Sequence, residues 1–332
     1  MKKHIINDLV NLVIFGSAGL LKTTLLTNAV IEYVRRCPGW RIVAIVDTNA
    51  NGLDNPNRRR SIEYLRRFIY WVIAYSPLLS SRVGGYRRLQ ILAASTGLKL
   101  LIPPNRNINA PCFVRQMAEI PKPCFALSLG CEQIFSNALL SAFTKSINNH
   151  SGLLPGYKGW ASTEWSIYCG EAITGASFHY MTSEVDGGRV LAQVSVPVGD
   201  RSIDQINLEK YTLAANKIGE VLDTVRAGGP GVQVTQESLF FTRSKTEKIQ
   251  QIDHPEDLKW DEIQRRLRAF GSLCVNIQGR RLFVKKMRII PRGSEVNSET
   301  AFITRDGQIV STNDAENSAP SLSALSRKFS FK

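Results

Sequence analysis

Leu9-Val-Asn-Leu-Val-Ile-Phe15, Gly16-Ser-Ala-Gly19 and Trp40-Arg-Ile-Val-Ala-Ile-Val46 decide the fold. The first and last runs have the apolar, β-branched character of buried strands, and the glycines between them turn the chain into a helix that reaches about residue 36. Strand, helix and strand in that order make a βαβ unit. Further along, Leu98–Ile102 before Pro103-Pro104 reads as a third strand. Cys124–Leu129 reads as a fourth, followed by a helix near 132–142. Such alternation predicts an α/β fold with a Rossmann-like parallel sheet. Ala176–Met181 and Arg189–Val196 add two alternating strands, and residues 202–226 a helix that Ala227-Gly-Gly-Pro-Gly231 ends. The next part differs in kind. His254-Pro255 leads into a helix over 256–270, with Leu258, Ile263 and Leu267 near helical spacing, and two strands flank Gln278-Gly279.

The boundaries expected from this pattern are a first domain over 1–200 and a linker helix with a Gly/Pro linker over 201–235. A small C-terminal β-containing domain over 236–310 follows, OB-like only by the resemblance set out below. Residues 311–332, rich in Ser, Asn, Ala and Lys, are expected to be disordered. An insertion over 51–90 exceeds what a βαβ unit needs. It carries Arg58, Arg59, Arg60, Arg66, Arg67, Arg82, Arg87 and Arg88 against Asp54 and Glu63, with Tyr64, Phe68, Tyr70, Trp71 and Tyr75 among them.

A chain of 332 residues that is 43% hydrophobic can bury a full core and is long enough for two domains. Its net charge of +14 favours polyanionic or phosphorylated partners, though charge alone does not identify them. The six cysteines form no CxxC pair and the four histidines are scattered, so no metal site is expected. No apolar run is long enough to span a membrane. The N-terminus also lacks a signal-peptide core, which makes a reduced, cytoplasmic setting the expectation. The basic and aromatic run over 58–75 leaves open a weak contact with a membrane surface.

Gly16-Ser-Ala-Gly-Leu-Leu-Lys22-Thr23 has the outline of a phosphate loop between a strand and a helix. Leu21 stands where that motif needs glycine, and its Cβ would crowd the amides that cradle phosphate. A tight turn opening a helix is the better account. Asn148 and His150 in Asn148-Asn-His-Ser-Gly-Leu-Leu-Pro155, together with Asp186 in Ser183-Glu-Val-Asp-Gly-Gly188, are of more consequence. An amide donor, an imidazole and a carboxylate are what acyl transfer to an amine requires. Taken alone, they also fit a polar loop capping its own turns.

The phrases around the trio carry a resemblance. Leu153-Leu-Pro-Gly-Tyr-Lys-Gly159, Trp165, Thr174-Gly175, His179 and Val185-Asp-Gly-Gly188 resemble, in order and spacing, the 10-formyltetrahydrofolate-dependent formyltransferases. The methionyl-tRNA formyltransferases are the branch they most suggest. Upstream, Leu100–Asn109 and Ser128-Leu-Gly130 resemble that family's segments before its catalytic loop. The chain departs from the family at Ser151 and Gly152, where Pro and Ser are usual, and at Ser162, where many members carry Pro. After Phe270, Gly271-Ser-Leu-Cys replaces the family's Pro/Gly-rich run.

The resemblance implies Asn148, His150 and Asp186 as catalytic residues and 10-formyltetrahydrofolate as co-substrate. It places Leu129, Gly130, His179 and Gly187 near the folate. His179 fits a packed imidazole better than a reacting one, and Gly187 and Gly188 are expected to make a tight turn that brings Asp186 to the site. Arg58, Arg59, Arg60, Tyr157 and Lys158 are the candidates for binding the acceptor. The resemblance leans to the amino group of methionyl-tRNA as acceptor, with the charge, the arginine-rich insertion and an appendage resembling the family's tRNA-binding one in support. A nucleotide-linked amino sugar is the alternative, since a sugar diphosphate also attracts arginines. An inactive folate-binding or regulatory protein is a distant third, because all three catalytic positions are filled.

Overall fold

The computed structural model describes residues 9–17, 20–48, 89–235, 237–291 and 299–312. Arg58, Arg59, Arg60 and nearly all of the insertion fall outside the described residues, as does the tail beyond Thr312. The chain opens with β1 (Val10–Gly16), α1 (Leu21–Arg36) and β2 (Trp40–Asp47). Then come α2 (Leu89–Thr96), β3 (Leu100–Leu101), α3 (Pro111–Ala118), β4 (Cys124–Ser128) and α4 (Asn137–Ser141). They are followed by β5 (Lys145–His150), the short β6 (Tyr157–Gly159), α5 (Ser162–Tyr168), β7 (Ile173–Tyr180) and β8 (Val190–Pro197). The helix expected over 202–226 is two, α6 (Ile203–Asn216) and α7 (Ile218–Arg226), broken at Lys217. The helix expected near 132–142 is only the five residues of α4, capped by the Ser136 hydroxyl, which accepts from the Leu139 amide at 3.2 Å.

The described residues fall into two compact units. One takes the described part of Met1–Lys158 with Gly175–Val196 and Gln205–Ser238; the other takes Gly159–Thr174, Pro197–Asp204 and the described part of Leu239–Lys332. The first is built on a seven-stranded sheet in the order β3-β2-β1-β4-β5-β7-β8. Its members from β3 to β5 run parallel, and β7 runs antiparallel to β5. Alternation along β1 explains the two layers. Leu12 and Ile14 face Leu26 and Val30 of α1 and Val221 and Leu222 of α7. Val13 and Phe15 face Phe113 and Met117 of α3 and Leu139 of α4. Apolar residues on both faces bury β1 completely, which is why its run carries almost no polar side chain.

The strand order reverses direction at β1, so the carboxyl ends of β1, β4 and β5 open on one crevice. Asn148 and His150 lie on the last residues of β5, at its carboxyl end. Lys145-Ser-Ile-Asn-Asn-His150 is too polar to announce a strand. It is extended because β4 and β7 pair with it on either side, and that context overrides its modest propensity.

The second unit holds α5, β9 (Leu239–Phe241), α8 (Arg243–Ile249), β10 (Gln251–Ile252), α9 (Trp260–Phe270), β11 (Leu273–Ile277) and β12 (Arg280–Val284). Its last strands are β13 (Arg288–Ile289), β14 (Ala301–Ile303) and β15 (Ile309–Ser311). Its small sheets run β10-β11-β12 and β13-β15-β14, over a core of Trp260, Ile263, Leu273, Val275, Ile277 and Val310. Gly271 ends α9 in the left-handed region at φ +70°, the conformation that favours glycine at a helix terminus. Trp165 of α5 is tied into this unit. It stacks on Phe241 at 4.2 Å between ring centroids and donates its indole N–H to Thr246 Oγ1 at 2.8 Å.

Candidate active site

Period-two alternation puts Asn148 and His150 on one face of β5 and Asn149 on the other. The antiparallel register sets Asn148 opposite His179 and His150 opposite Ser177, so those four side chains share a face. The loop between β7 and β8 then brings Asp186 over them. His150 Nδ1 lies 3.2 Å from Asp186 Oδ2, and His179 Nε2 lies 3.3 Å from Oδ1 of the same carboxylate. Asn148 Nδ2 is 3.2 Å from His179 Nε2 and 3.5 Å from Asp186 Oδ1. One carboxylate therefore meets both imidazoles and the amide.

The loop explains how Asp186 arrives. Asp186 itself has φ +52°, in the left-handed region that Asp adopts more readily than most side chains. Within the tight turn expected of Gly187 and Gly188, the positive φ lies on the aspartate and on neither glycine. Gly188 is needed for a different reason: a Cβ there would stand 1.8 Å from the Tyr180 carbonyl oxygen.

The protons of the two imidazoles follow from their partners. The Tyr180 carbonyl can only accept, so the Nδ1–H of His179 donates to it at 2.8 Å, and Nε2 is left facing the Asn148 amide at 3.2 Å. His150 Nε2 lies 2.6 Å from the Tyr157 carbonyl, which takes the Nε2–H and leaves Nδ1 facing Asp186. Burial pulls the pKa of His150 down to about 4, against the upward pull of the Asp186 carboxylate and the Tyr157 carbonyl. The ring is neutral at pH 7, and its Nδ1 and the carboxylate together form a place where one proton can be held.

The remaining candidates are less tightly gathered. Leu129 N–H donates to the Phe15 carbonyl and its own carbonyl accepts from Thr23 Oγ1, while the Gly130 carbonyl accepts from Ser17 N–H. These bonds join the ends of β1 and β4 where the crevice opens. Tyr157 is buried and serves His150 through its main chain, and Lys158 pairs with Glu184 at 2.9 Å. A Cβ on Gly187 would meet the Glu184 side chain rather than backbone. Ser177 holds the loop after β5, with its hydroxyl donating to the Gly152 carbonyl at 2.7 Å and accepting from Leu154 N–H at 3.0 Å.

Sequence reasoning missed Lys22. It is buried in the first turn of α1, and its Nζ donates to the Asn149 carbonyl and to Ser151 Oγ. Burial lowers its pKa to about 8, against the upward pull of Asp186. Lys210 and Tyr211 of α6 reach the same loop, Lys210 Nζ donating to the Ser151 carbonyl at 3.1 Å and the Tyr211 hydroxyl to Ser151 Oγ at 2.9 Å. The phosphate-loop outline was the one signal that drew attention to Lys22, and it pointed to a different partner. Among the described residues no group of three or more His, Cys, Asp or Glu is placed to hold a metal ion, and no helix is long and apolar enough to cross a membrane.

Comparison with known proteins bears on this arrangement. The family described as "Formyl transferase" matches residues 113–221, a span that contains Asn148, His150, His179 and Asp186. A methionyl-tRNA formyltransferase of Limosilactobacillus fermentum is 28% identical over 221 residues, covering 62% of this chain and 68% of that protein. Among solved structures, a sugar N-formyltransferase from Shewanella sp FDAARGOS_354 is similar at a TM-score of 0.57 and 16% identity, over 84% of this chain and 97% of that one. An N-formyltransferase from Helicobacter canadensis, in complex with folinic acid and dTDP-3-aminofucose, has a TM-score of 0.57 at 16% identity, over 91% of this chain and 98% of its own. At those identities the two structures speak for a shared fold.

Proposed function

We propose that this chain, which belongs to the formyltransferase superfamily, moves a formyl group from a 10-formyltetrahydrofolate-type donor to a primary amine carried on a nucleotide-linked amino sugar. The observation that carries the chemistry is the meeting of Asn148, both imidazoles and Asp186 at one point. In the reaction a bond forms between the amine nitrogen and the formyl carbon. The bond from that carbon to the donor nitrogen breaks, and one proton passes from the amine to the departing nitrogen. Asn148 directs an amide N–H at the formyl oxygen as negative charge gathers there. His179 accepts from the other side of that amide and keeps it turned inward. His150 Nδ1 and Asp186 take the amine proton between them and return it to the leaving nitrogen, with the Tyr157 carbonyl fixing the ring. Leu129 and Gly130, where β1 and β4 meet, are assigned to the flat ring of the folate, with Gly187 at the rim.

The sugar acceptor is supported by the two solved structures that match nearly the whole of their own length, one a sugar N-formyltransferase and one holding a nucleotide-linked amino sugar. Tyr157 and Lys158, just past the catalytic strand, are assigned to that acceptor. A second reading, transfer to methionyl-tRNA, is favoured by the Limosilactobacillus relative and by the net charge of +14. Arg58, Arg59 and Arg60 would serve either acceptor by pairing with phosphate.

The test presents 10-formyltetrahydrofolate with a panel of nucleotide-linked amino sugars and, separately, with methionyl-tRNA, and reads the 28 Da gain of each acceptor by mass (about 28 Da for a formyl replacing a hydrogen). Turnover on a sugar that Asn148→Ala abolishes supports the reading. Turnover on methionyl-tRNA alone replaces the acceptor, and turnover on no amine removes the reading.

A further inference from the structure

Two lysines are buried behind the catalytic strand, Lys22 at 9% exposure and Lys210 at 0%. A buried ammonium is costly unless something compensates for its lost hydration. Here both grip the same short segment. Lys22 donates to the Asn149 carbonyl and, at 3.2 Å, to Ser151 Oγ, the two residues on either side of His150. Pairing of β5 with β4 ends at the Ser128–Asn148 position, so Lys22 supplies a donor one residue beyond the end of that ladder. From the other helix Lys210 takes the Ser151 carbonyl and Tyr211 takes its hydroxyl. The Asn149 carboxamide is fully buried, with neither of its polar atoms hydrogen-bonded among the described residues. The link from this residue to α1 therefore runs through its main-chain carbonyl.

We propose that Lys22 is a positioning residue for the transfer reaction: it clamps the backbone between Asn148 and His150 from α1 and places a positive charge behind Asp186. The inference rests on the formyl-transfer reading. The titratable groups around this point are Asp186 on its loop, His150 on β5, His179 on β7, and Lys210 and Tyr211 on α6. Among them Asp186 is the carboxylate that acts on Lys22, and the lysine's charge in turn disfavours a proton on His150. Lys22 thus helps keep the His150 imidazole neutral, the state in which its Nδ1 can receive the amine proton. Only a long, flexible cation starting from the first turn of α1 makes both bonds at once. Arginine keeps the charge and fits the space less well.

The experiment compares the full chain with Lys22→Met and Lys22→Arg. Amide hydrogen exchange over residues 145–152 is measured without substrate, and kcat, KM and the pH profile of transfer are measured with it. The expected result for Lys22→Met is about tenfold or greater loss of exchange protection at 149–151 and a kcat lower by about ten- to a hundredfold. KM for the folate stays within about threefold, the acid limb of kcat/KM moves to higher pH, and Lys22→Arg recovers part of the rate. Unchanged protection together with unchanged kcat would overturn the proposal. If the wild-type protein transfers formyl to no amine, the functional reading fails, and the exchange data still decide whether the clamp exists. Should Lys22→Met not fold, Ser151→Ala removes the hydroxyl that Lys22 and Tyr211 share. Loss of protection at His150 then supports the clamp, and unchanged protection and kcat reject it.

Discussion

Asn148 and His179 face each other across the antiparallel pair β5–β7, with the amide nitrogen of one 3.2 Å from Nε2 of the other. The register of two strands, rather than a loop, thus aims the amide. Since His179 Nδ1 donates to the Tyr180 carbonyl, its Nε2 can accept from Asn148 without competing for a proton. His179→Phe keeps the ring volume and removes that acceptor. The expected outcome is a kcat lower by about ten- to a hundredfold, KM for both substrates little changed, and a melting temperature lowered by only a few degrees. Steady-state kinetics beside calorimetry checks it, and an unaltered kcat would show that Asn148 needs no such support.

His150 gives the protein a pH dependence whose sign can be worked out. Its pKa is about 4 in the folded chain and near 6.5 when unfolded, so the unfolded chain binds more protons between those values. The stability it contributes is present above about pH 6.5 and is lost as pH falls through about 4, by roughly 3 kcal/mol in all. Denaturant melts of wild type and His150→Phe over pH 4–7 should diverge with that slope, the variant being flatter. Parallel curves would mean that the ring keeps its proton when folded.

Gly187 and Gly188 separate two kinds of glycine. A Cβ on Gly188 meets a backbone oxygen at 1.8 Å, whereas one on Gly187 meets the exposed end of Glu184 at 2.4 Å. Gly188→Ala is expected to push the loop off Tyr180 and carry Asp186 with it, costing about 1–3 kcal/mol of stability and most of the activity. Gly187→Ala displaces a flexible side chain and should cost under about 1 kcal/mol. Melting curves and turnover of the two variants give the contrast directly. Equal effects would place the constraint elsewhere in the loop.

How much of this could be read from the chain depends on the range of the interactions. The runs Val10–Gly16 and Trp40–Asp47 announce themselves because burial on both faces demands unbroken apolar residues. The Asn148, His150 and Asp186 trio is legible through the phrases around it. β5 is not, because Lys145-Ser-Ile-Asn-Asn-His150 is extended by its neighbours rather than by its own side chains. The strand parity of His179 shows in the sequence, but only the β5–β7 register shows that Asn148 is its partner. The tight turn at Gly187 and Gly188 shows in the sequence, but nothing in it marks Asp186 as the residue with the positive φ. Lys22 is hidden most completely: its partners are 127 and 129 residues away, and no local pattern encodes a contact at that separation.

Lys22 also sets function against stability, which gives a last prediction. Its pKa is about 8 when folded and 10.5 otherwise, so between those values the unfolded chain binds more protons and stability rises with pH. Below about pH 8 the cost of holding the charge inside is present in full, roughly 3 kcal/mol, offset in part by the bonds to Asn149 and Ser151. Lys22→Met removes the charge and keeps an unbranched apolar chain in the same space. Its melting temperature at pH 7 is expected to equal or exceed that of the wild type, and the difference should shrink as pH rises from 8 to 10.5, while the rate falls. A residue whose removal leaves the fold as stable and the reaction slower is held in place by the reaction. A variant much less stable at pH 7 would show instead that the ammonium group is retained for the fold.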